Sequence, residues 1–183
     1  MPWHTGRLLV AAPTLEDPNF LRSVILVLDH DEDGALGVVL NRASTITVDE
    51  TLADWVDLAA APAVVFGGGP VEPTAVVALG TARESSAPDG ATAILDRVRL
   101  VNLEEDPVLA ATELERIRLF AGYAGWGPDQ LEVEIDDGAW FPVDADPGDV
   151  FTDDPDGLWH HVLRRQRGGL RLLATYPEDP ARN

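Results

Sequence analysis

The chain has 183 residues, of which 32 are acidic and 13 are lysine or arginine, so its formal net charge is -19 at pH 7. All 13 are arginine, and there is no lysine or cysteine, which excludes Schiff-base chemistry, a lysine-bearing phosphate loop, disulfides and cysteine metal sites. The charge also opposes direct binding to nucleic acid or an anionic membrane, and no apolar run reaches the roughly 20 residues of a membrane helix.

The composition is that of an ordinary globular protein, with 45% hydrophobic and 25% charged residues. We expect a single domain over residues 1–183. The first seven residues contain no basic leader followed by a long apolar core, so we expect no signal peptide and a cytoplasmic location.

Apolar runs at residues 8–11, 24–28 and 36–40 predict strands. The polar segment 30–34 lies between the second and third runs and contains the turn residue Gly34. These two strands are therefore predicted to form a hairpin.

In the middle of the chain, Thr47 and Glu50 have the spacing of a capping box, which predicts the start of a helix. Asp106 followed by Pro107 predicts a second helix, to about residue 115. Further strands are predicted at residues 64–66, 75–79, 93–95, 98–101 and 117–120, with a loop at 83–90.

Towards the end of the chain, residues 122–127 are glycine-rich and predict a loop. Residues 128–137 fit a strand through alternating Leu131, Val133 and Ile135, but Gly127-Pro128 and Gly138 favour a helix. An extended segment at 140–143 and a helix at 158–166 follow. The pattern predicts an α/β (α+β mixed) fold, a single mixed β-sheet with helices packed on its faces.

The segment from Asp29 to Gly34 imitates the first half of a calcium loop, but Leu40 stands where a bidentate glutamate is required. A hairpin turn is the favoured interpretation, and we expect no metal site. His30 is interpreted as a turn histidine bonded to backbone or to Asp31, with catalysis as the alternative.

Two glycine segments are candidates for ligand binding. Residues 67–70 follow a strand, and they predict either a tight turn or a set of exposed N–H groups for an anion. Residues 122–131 predict either a helix N-terminus with anion affinity or a packed loop whose Tyr123 and Trp126 fill the core.

Charge is unevenly distributed. Eleven acids and no arginine occur over residues 119–163, and four arginines follow, at 164, 165, 167 and 171. A solvated acidic face is the favoured interpretation. The alternatives are a docking surface for a basic partner and an arginine cluster for an anion.

The chain resembles the YqgE/AlgH family over about residues 6–176. The resemblance rests on residues 6–9, 17–20, 41–42, 68–71 and, above all, Gly122-Tyr123-Ala124-Gly125-Trp126-Gly127-Pro128-Asp129-Gln130-Leu131-Glu132. It implies an uncharacterised bacterial cytoplasmic protein of mixed α/β fold, in a family labelled as candidate transcriptional regulators.

Two departures from the family pattern bear on function. Leu79-Gly80 stands where the family has a Leu-His pair, so any role of that histidine is absent or moved. Ala43 replaces the proline of the family's Asn-Arg-Pro, which loosens the turn without changing the fold.

The expected function is that of a non-enzymatic binding or regulatory protein acting through protein partners, with no cofactor and no catalytic residue assigned. The alternative is a small-molecule or nucleotide-binding enzyme using the glycine-rich loops at 67–70 and 122–128. A pocket holding both loops and at least two polar side chains would favour the enzyme. The candidate ligand-binding residues are His30, Asn41, Arg42, Gly68, Gly69, Tyr123, Gly125, Trp126 and Gln130.

Overall fold

The computed structural model describes residues 3–84 and 93–177. Its strands are β1 Arg7–Ala11, β2 Val24–Asp31, β3 Gly34–Val39, β4 Ala43–Thr47, β5 Val64–Gly67, β6 Val71–Ala82, β7 Val98–Leu100, β8 Leu114–Trp126 and β9 Trp140–Asp144. Its α-helices are α1 Val48–Leu52, α2 Pro107–Glu113, α3 Gln130–Asp136, α4 Pro147–Val150, α5 Leu158–Arg164 and α6 Gly169–Leu173. A 3-10 helix, Ala53–Leu58, continues α1.

The nine strands form one mixed sheet, whose main path runs β4-β5-β8-β3-β2-β1-β9. β8 joins its two halves, because it pairs with β6 along most of its length, with β5 in the middle and with β3 at its end. The β5–β8 ladder is parallel and the other ladders between named strands are antiparallel. The predicted mixed α/β fold is confirmed.

Helices pack against the sheet at three clusters of buried residues. Trp159 of α5 packs with Leu26 and Phe120 in the central cluster of buried residues. α3 covers the opposite face of β1–β3, where Leu131 packs with Trp126. The 3-10 helix and α2 cover β6 and the first part of β8 in a third cluster. α3 and α5 bury apolar residues such as Leu131 and Trp159 against the strands, whereas α2 buries Ala110.

Local signals identified several of these elements. Thr47 and Glu50 form both hydrogen bonds of the capping box that begins α1. Asp106 caps α2 with Pro107 in its first turn. The predicted hairpin is β2–β3, although its turn is shorter than expected, because His30 and Asp31 still belong to β2.

The prediction of a loop over residues 122–127 is wrong, because residues 122–126 are the last part of β8. The predicted helix at 128–137 exists but begins at Gln130, with Asp129 as its N-cap residue. Residues 85–90 of the predicted loop at 83–90 lie outside the described residues. The prediction of a strand at 93–95 is wrong, because only Leu95 forms an isolated bridge there, with Val98. Among the described helices, none has the length and hydropathy needed to span a membrane.

Candidate functional site

The two glycine segments pack against each other through their backbones. A Cβ on Gly68 would lie 2.2 Å from the carbonyl oxygen of Gly122. Gly122 itself has φ of +72°, and a Cβ there would lie 2.5 Å from the carbonyl oxygen of Gly69. Only glycine permits an approach this close together with this backbone conformation. The glycines therefore serve contact between β8 and the segment that follows β5.

Backbone groups of the first glycine segment are used by the protein itself. The N–H of Gly67 donates to the carbonyl oxygen of Arg42 at 2.7 Å, and the N–H of Gly68 donates to that of Ala121 at 2.8 Å. The carbonyl oxygen of Gly68 accepts from the N–H of Val39 at 2.8 Å. This geometry favours the close-approach interpretation over an anion-binding loop, since donors already paired are not offered to a ligand.

Glu134 of α3 links residues 122–127, the glycine–aromatic segment, to α3 and β9. Its Oε2 accepts hydrogen bonds from the indole N–H groups of Trp126 at 2.9 Å and Trp140 at 2.8 Å. Its Oε1 accepts from the side-chain amide of Gln130 at 2.8 Å, and Oε1 of Gln130 accepts from the N–H of Gly127 at 3.0 Å. The regular spacing of Trp126, Gln130 and Glu134 thus has a structural explanation.

The aromatic residues of this segment fill the core. Trp126 is 7% exposed and packs edge-to-face with Trp140 at 6.0 Å between ring centroids. Tyr123 is half-buried against the central cluster, whereas Gly125 is exposed and pairs with Leu36 of β3. The core-filling interpretation fits both aromatic side chains, although the segment is a strand and not a loop.

His30 is buried, and both of its ring nitrogens have partners. Nδ1 accepts a hydrogen bond from the backbone N–H of His4 at 3.2 Å, and Nε2 lies 2.9 Å from Oε1 of Glu132. The rings of His4 and His30 stack with centroids 5.5 Å apart. The expected bond to backbone is present, but the carboxylate partner is Glu132 of α3 and not Asp31. His30 therefore joins the N-terminal segment, β2 and α3.

His4 is buried beside this contact, and its Nδ1 has no hydrogen-bond partner. Burial lowers the pKa of His4, and the nearby His30 and Arg7 lower it further, while Glu132 acts in the opposite direction. The environment therefore favours the neutral imidazole.

Asn41 fixes the backbone at the start of β2 by hydrogen bonds. Its Oδ1 accepts from the N–H of Val24 at 2.9 Å, and its Nδ2 donates to the carbonyl oxygen of Arg22 at 2.9 Å. Since Asn41 is buried and both ends of its amide are bonded to backbone, its contacts are structural. The next residue, Arg42, donates to the carbonyl oxygen of Leu21, and burial lowers its pKa.

Arg42 lines a small cavity where three of the segments that carry the family resemblance meet. The cavity has a volume of about 250 Å³. Its walls are Pro18, Asn19, Val39, Arg42, Gly67, Gly69 and Pro70. Pockets for drug-sized ligands measure about 300–1,000 Å³, so this one suits a single anionic group better than a nucleotide.

The predicted site residues do not all meet in one place. Trp126 lines a different cavity, of about 280 Å³, together with Asp29, Asp31 and Asp33 of the β2–β3 hairpin. Over the described residues, neither cavity wall includes Gln130 or His30. In the same part of the chain, no group of three His, Cys, Asp or Glu residues is placed to hold a metal ion.

A larger groove lies between the 3-10 helix and α2, and sequence reasoning missed it. Its volume is about 800 Å³. Its walls are Ala53, Asp54, Asp57, Leu58, Asp106, Pro107, Val108 and Ala111. Val108 in its wall is 75% exposed, and the next residue, Leu109, is 67% exposed. The signal in the sequence is this apolar pair in the first turn of a short helix.

Comparison with known sequences gives a match over most of the chain. A model of the AlgH-like family, DUF179, matches residues 8–171. A UPF0301 protein of Streptomyces coelicolor is 52% identical, covering 98% of this chain and 95% of its own length. A UPF0301 protein of Mycobacterium marinum is 44% identical, covering 97% of this chain and 90% of its own length.

Solved structures show the same architecture. The crystal structure of a Corynebacterium diphtheriae protein matches with a TM-score of 0.88 at 36% identity, covering 96% of this chain and 93% of that one. The solution structure of the AlgH protein from Pseudomonas aeruginosa matches with a TM-score of 0.68 at 30% identity, covering 96% and 95%.

Proposed function

The chain belongs to the AlgH-like family, and from that premise we propose that it is a non-enzymatic, cytoplasmic regulatory protein that acts by binding another protein. The observation that carries the proposal is the groove between the 3-10 helix and α2, with Val108 and Leu109 exposed beside it. Contiguous exposed apolar residues with a polar rim are typical of protein interaction sites.

The charge around the groove indicates the kind of partner. Asp54, Asp57 and Asp106 lie in its walls, and the whole chain carries a net charge of -19. Arg83 is the nearby cation, and its side chain donates to the carbonyl oxygen of Ala111 at the end of α2. A basic amphipathic helix fits this surface, because its apolar side would cover Val108 and its cations would meet the aspartates.

An effect on transcription would then be indirect. The negative field of the protein attracts a basic protein segment and repels phosphate backbones. Regulation through a protein partner is consistent with both properties.

The test uses a synthetic helical peptide of leucine and lysine and its leucine–glutamate counterpart, each with a fluorescent label. By fluorescence anisotropy, we expect the lysine peptide to bind in the micromolar range and the glutamate peptide not to bind. The double variant V108S/L109S should bind at least tenfold more weakly, since hot-spot side chains of an interface contribute about 2 kcal/mol or more.

Leu172→Ser is the matched control, because Leu172 is 70% exposed on α6, away from the groove. Its affinity for the lysine peptide should equal that of the parent. Equal weakening by both changes, or no weakening by the double variant, would rule out this groove as the binding surface. Pull-down from cell extract with the same variants then identifies the natural partner.

The second candidate, a small-molecule or nucleotide-binding enzyme using the segments 67–70 and 122–128, is favoured by one observation. Three segments of the family resemblance meet at the cavity of Arg42. Its small volume fits a single anionic group rather than a nucleotide, and its walls include no residue of 122–128. Arg42 would bind that group, because the N–H groups of Gly67 and Gly68 are already bonded within the protein. Saturable binding of inorganic phosphate that is lost in Arg42→Gln would support this candidate over the first.

A further inference from the structure

Arg116 of β8 is a half-buried cation whose side chain forms no ion pair or hydrogen bond with the described residues. Its guanidinium lies over the ring of Phe151, 4.4 Å from the centroid. Its Nε is buried and makes no hydrogen bond, and no described residue forms an ion pair with the side chain. A guanidinium carries five N–H donors, so the side chain of Arg116 has donors left for an acceptor from outside the chain.

A second arginine increases the positive charge there. Arg118 is two residues along β8, and so on the same face of the strand, and is buried. It donates to the carbonyl oxygens of Ala61, Val150 and Thr152, and no carboxylate of the described residues forms an ion pair with it. Burial, followed by the charge of Arg116, lowers the pKa of Arg118 to about 10, so the Arg118 side chain remains cationic at pH 7.

Arg116 lines a cavity of about 770 Å³, which is large enough for a small organic molecule. Phe151, Leu158 and Ala60 give it an apolar wall, and His161 of α5 adds a polar group. A ligand could therefore place a polar head at Arg116 and an apolar body against these side chains.

Most carboxylates of the cavity already have partners within the protein. Asp149 forms two hydrogen bonds with Arg165, at 2.6 Å and 2.5 Å. Asp146 accepts from the N–H of Gly148, and Asp154 accepts from that of Gly157. These acids and the exposed Asp153 still make the rim negative, which disfavours a multiply charged anion.

We propose that this cavity binds a small organic monocarboxylate, whose carboxylate pairs with Arg116 and whose apolar body packs against Phe151 and Leu158. A guanidinium offers two parallel donors that match a carboxylate. The site is separate from the groove of the proposed function and shares no lining residue with it.

The test is a protein-observed NMR titration with benzoate, its neutral analogue benzamide and the cation benzylammonium. Benzoate should give saturable shifts centred on Phe151 and Leu158, and its affinity should exceed that of benzamide at least tenfold. Arg116→Gln should weaken benzoate binding at least about tenfold, the loss expected for a charged hydrogen bond. The same change in Arg171, which is exposed on α6 and outside the cavity, should leave the affinity unchanged.

Arg116→Gln should melt within a few degrees of the parent, because among the described residues the side chain loses only its contact with the ring of Phe151. Arg116→Lys is the second variant, with the charge retained and the paired donors removed, and should bind benzoate with intermediate affinity. Equal binding of benzamide, equal binding by Arg116→Gln, equal weakening by Arg171→Gln, or no saturable benzoate shift in the parent would each overturn the proposal.

Discussion

At the scale of single residues, Glu134 of α3 holds the glycine–aromatic segment in place. It accepts hydrogen bonds from Trp126, Trp140 and Gln130. Because it satisfies two buried indole N–H groups at once, it lets both rings pack in the core without a desolvation penalty. The segment therefore acts as a structural joint between β8, α3 and β9.

Trp126→Ala should lower the free energy of unfolding by about 3–5 kcal/mol, because it removes a buried aromatic side chain and leaves a cavity. Gln130→Ala should lower the free energy of unfolding by about 0.5–1.5 kcal/mol, because the hydrogen bonds of the Gln130 side chain with Glu134 and Gly127 are lost. Urea melts monitored by far-UV circular dichroism measure both. Trp3→Ala is the control: Trp3 is 52% exposed, and its loss should cost about 1 kcal/mol or less. A Trp126→Ala protein as stable as the Trp3→Ala protein would contradict the joint.

The lowered pKa of His4 makes stability depend on pH. Below the ordinary histidine value of 6.5, the unfolded chain takes up a proton at His4 that the folded protein disfavours. The free energy of unfolding should therefore include the whole contribution of His4 above pH 6.5 and should decrease as the pH drops below that value. Urea melts at pH 7.5 and pH 5.5 should show a smaller loss for His4→Gln than for the parent.

His161→Gln is the control for the pH experiment, because His161 is exposed on α5. Its loss of stability between the two pH values should equal that of the parent. An identical loss in His4→Gln and in the parent would show that other groups cause the pH dependence.

Two glutamates also contribute to the pH dependence, in a more acidic range. The pKa of Glu115 is lowered mainly by its hydrogen bond to Arg97, and that of Glu50 by its hydrogen bonds to Thr47. Their contributions to stability are lost as the pH falls through these lowered pKa values.

At the scale of elements, β8 organises the fold. It is 13 residues long and pairs with β6, β5 and β3 in turn. The change of partner on one side, from β5 to β3, occurs at Gly122, whose positive φ bends the strand. Gly68 and Gly69, which follow β5, lie directly against the backbone of β8 at Gly122 and Tyr123. The packing of one glycine segment therefore depends on the other.

Gly68→Ala tests that dependence. The new methyl group would meet the Gly122 carbonyl oxygen, which is backbone and cannot move aside freely. We expect a loss of about 1–3 kcal/mol of stability, the usual cost of overpacking. Gly169→Ala is the control, because no atom lies within 4 Å of a Cβ there, and it should be neutral or stabilising by up to about 1 kcal/mol. A Gly68→Ala protein that melts like the parent would show that the segments do not need this contact.

At the scale of the whole molecule, the charge distribution decides which macromolecules can bind. Arg97, Arg99 and Arg165 are paired with Glu115, Glu113 and Asp149 respectively. Arg118 is buried among carbonyl oxygens. These four leave nine of the 13 arginines for any basic surface, against 32 acids.

We expect no binding to duplex DNA at physiological salt, because phosphate contacts require clustered exposed cations. Gel-shift assays with up to about 10 µM protein, which covers the tighter non-specific affinities, should show only free DNA. A shift at sub-micromolar protein that weakens as salt is added would contradict the charge argument and favour a direct regulator.

The amino-acid sequence alone determined what depends on neighbours along the chain. The β2–β3 hairpin follows from two apolar runs around a turn, and α1 and α2 follow from their N-caps, Thr47 and Asp106. Such signals act over a few residues, so the order of amino acids suffices to predict these elements. The order of strand and helix signals likewise predicts the α/β class, and the family resemblance rests above all on the contiguous motif at 122–132.

Only the tertiary structure decided where the polar groups of those motifs find partners. The run 122–126 is too rich in glycine for a strand signal, and it is a strand because β6 and β3 supply its ladders. Glu132 contacts His30, and Phe151 contacts Arg116, through pairings that join segments far apart in sequence. Pairing across the fold depends on three-dimensional packing, and no local pattern of residues records it.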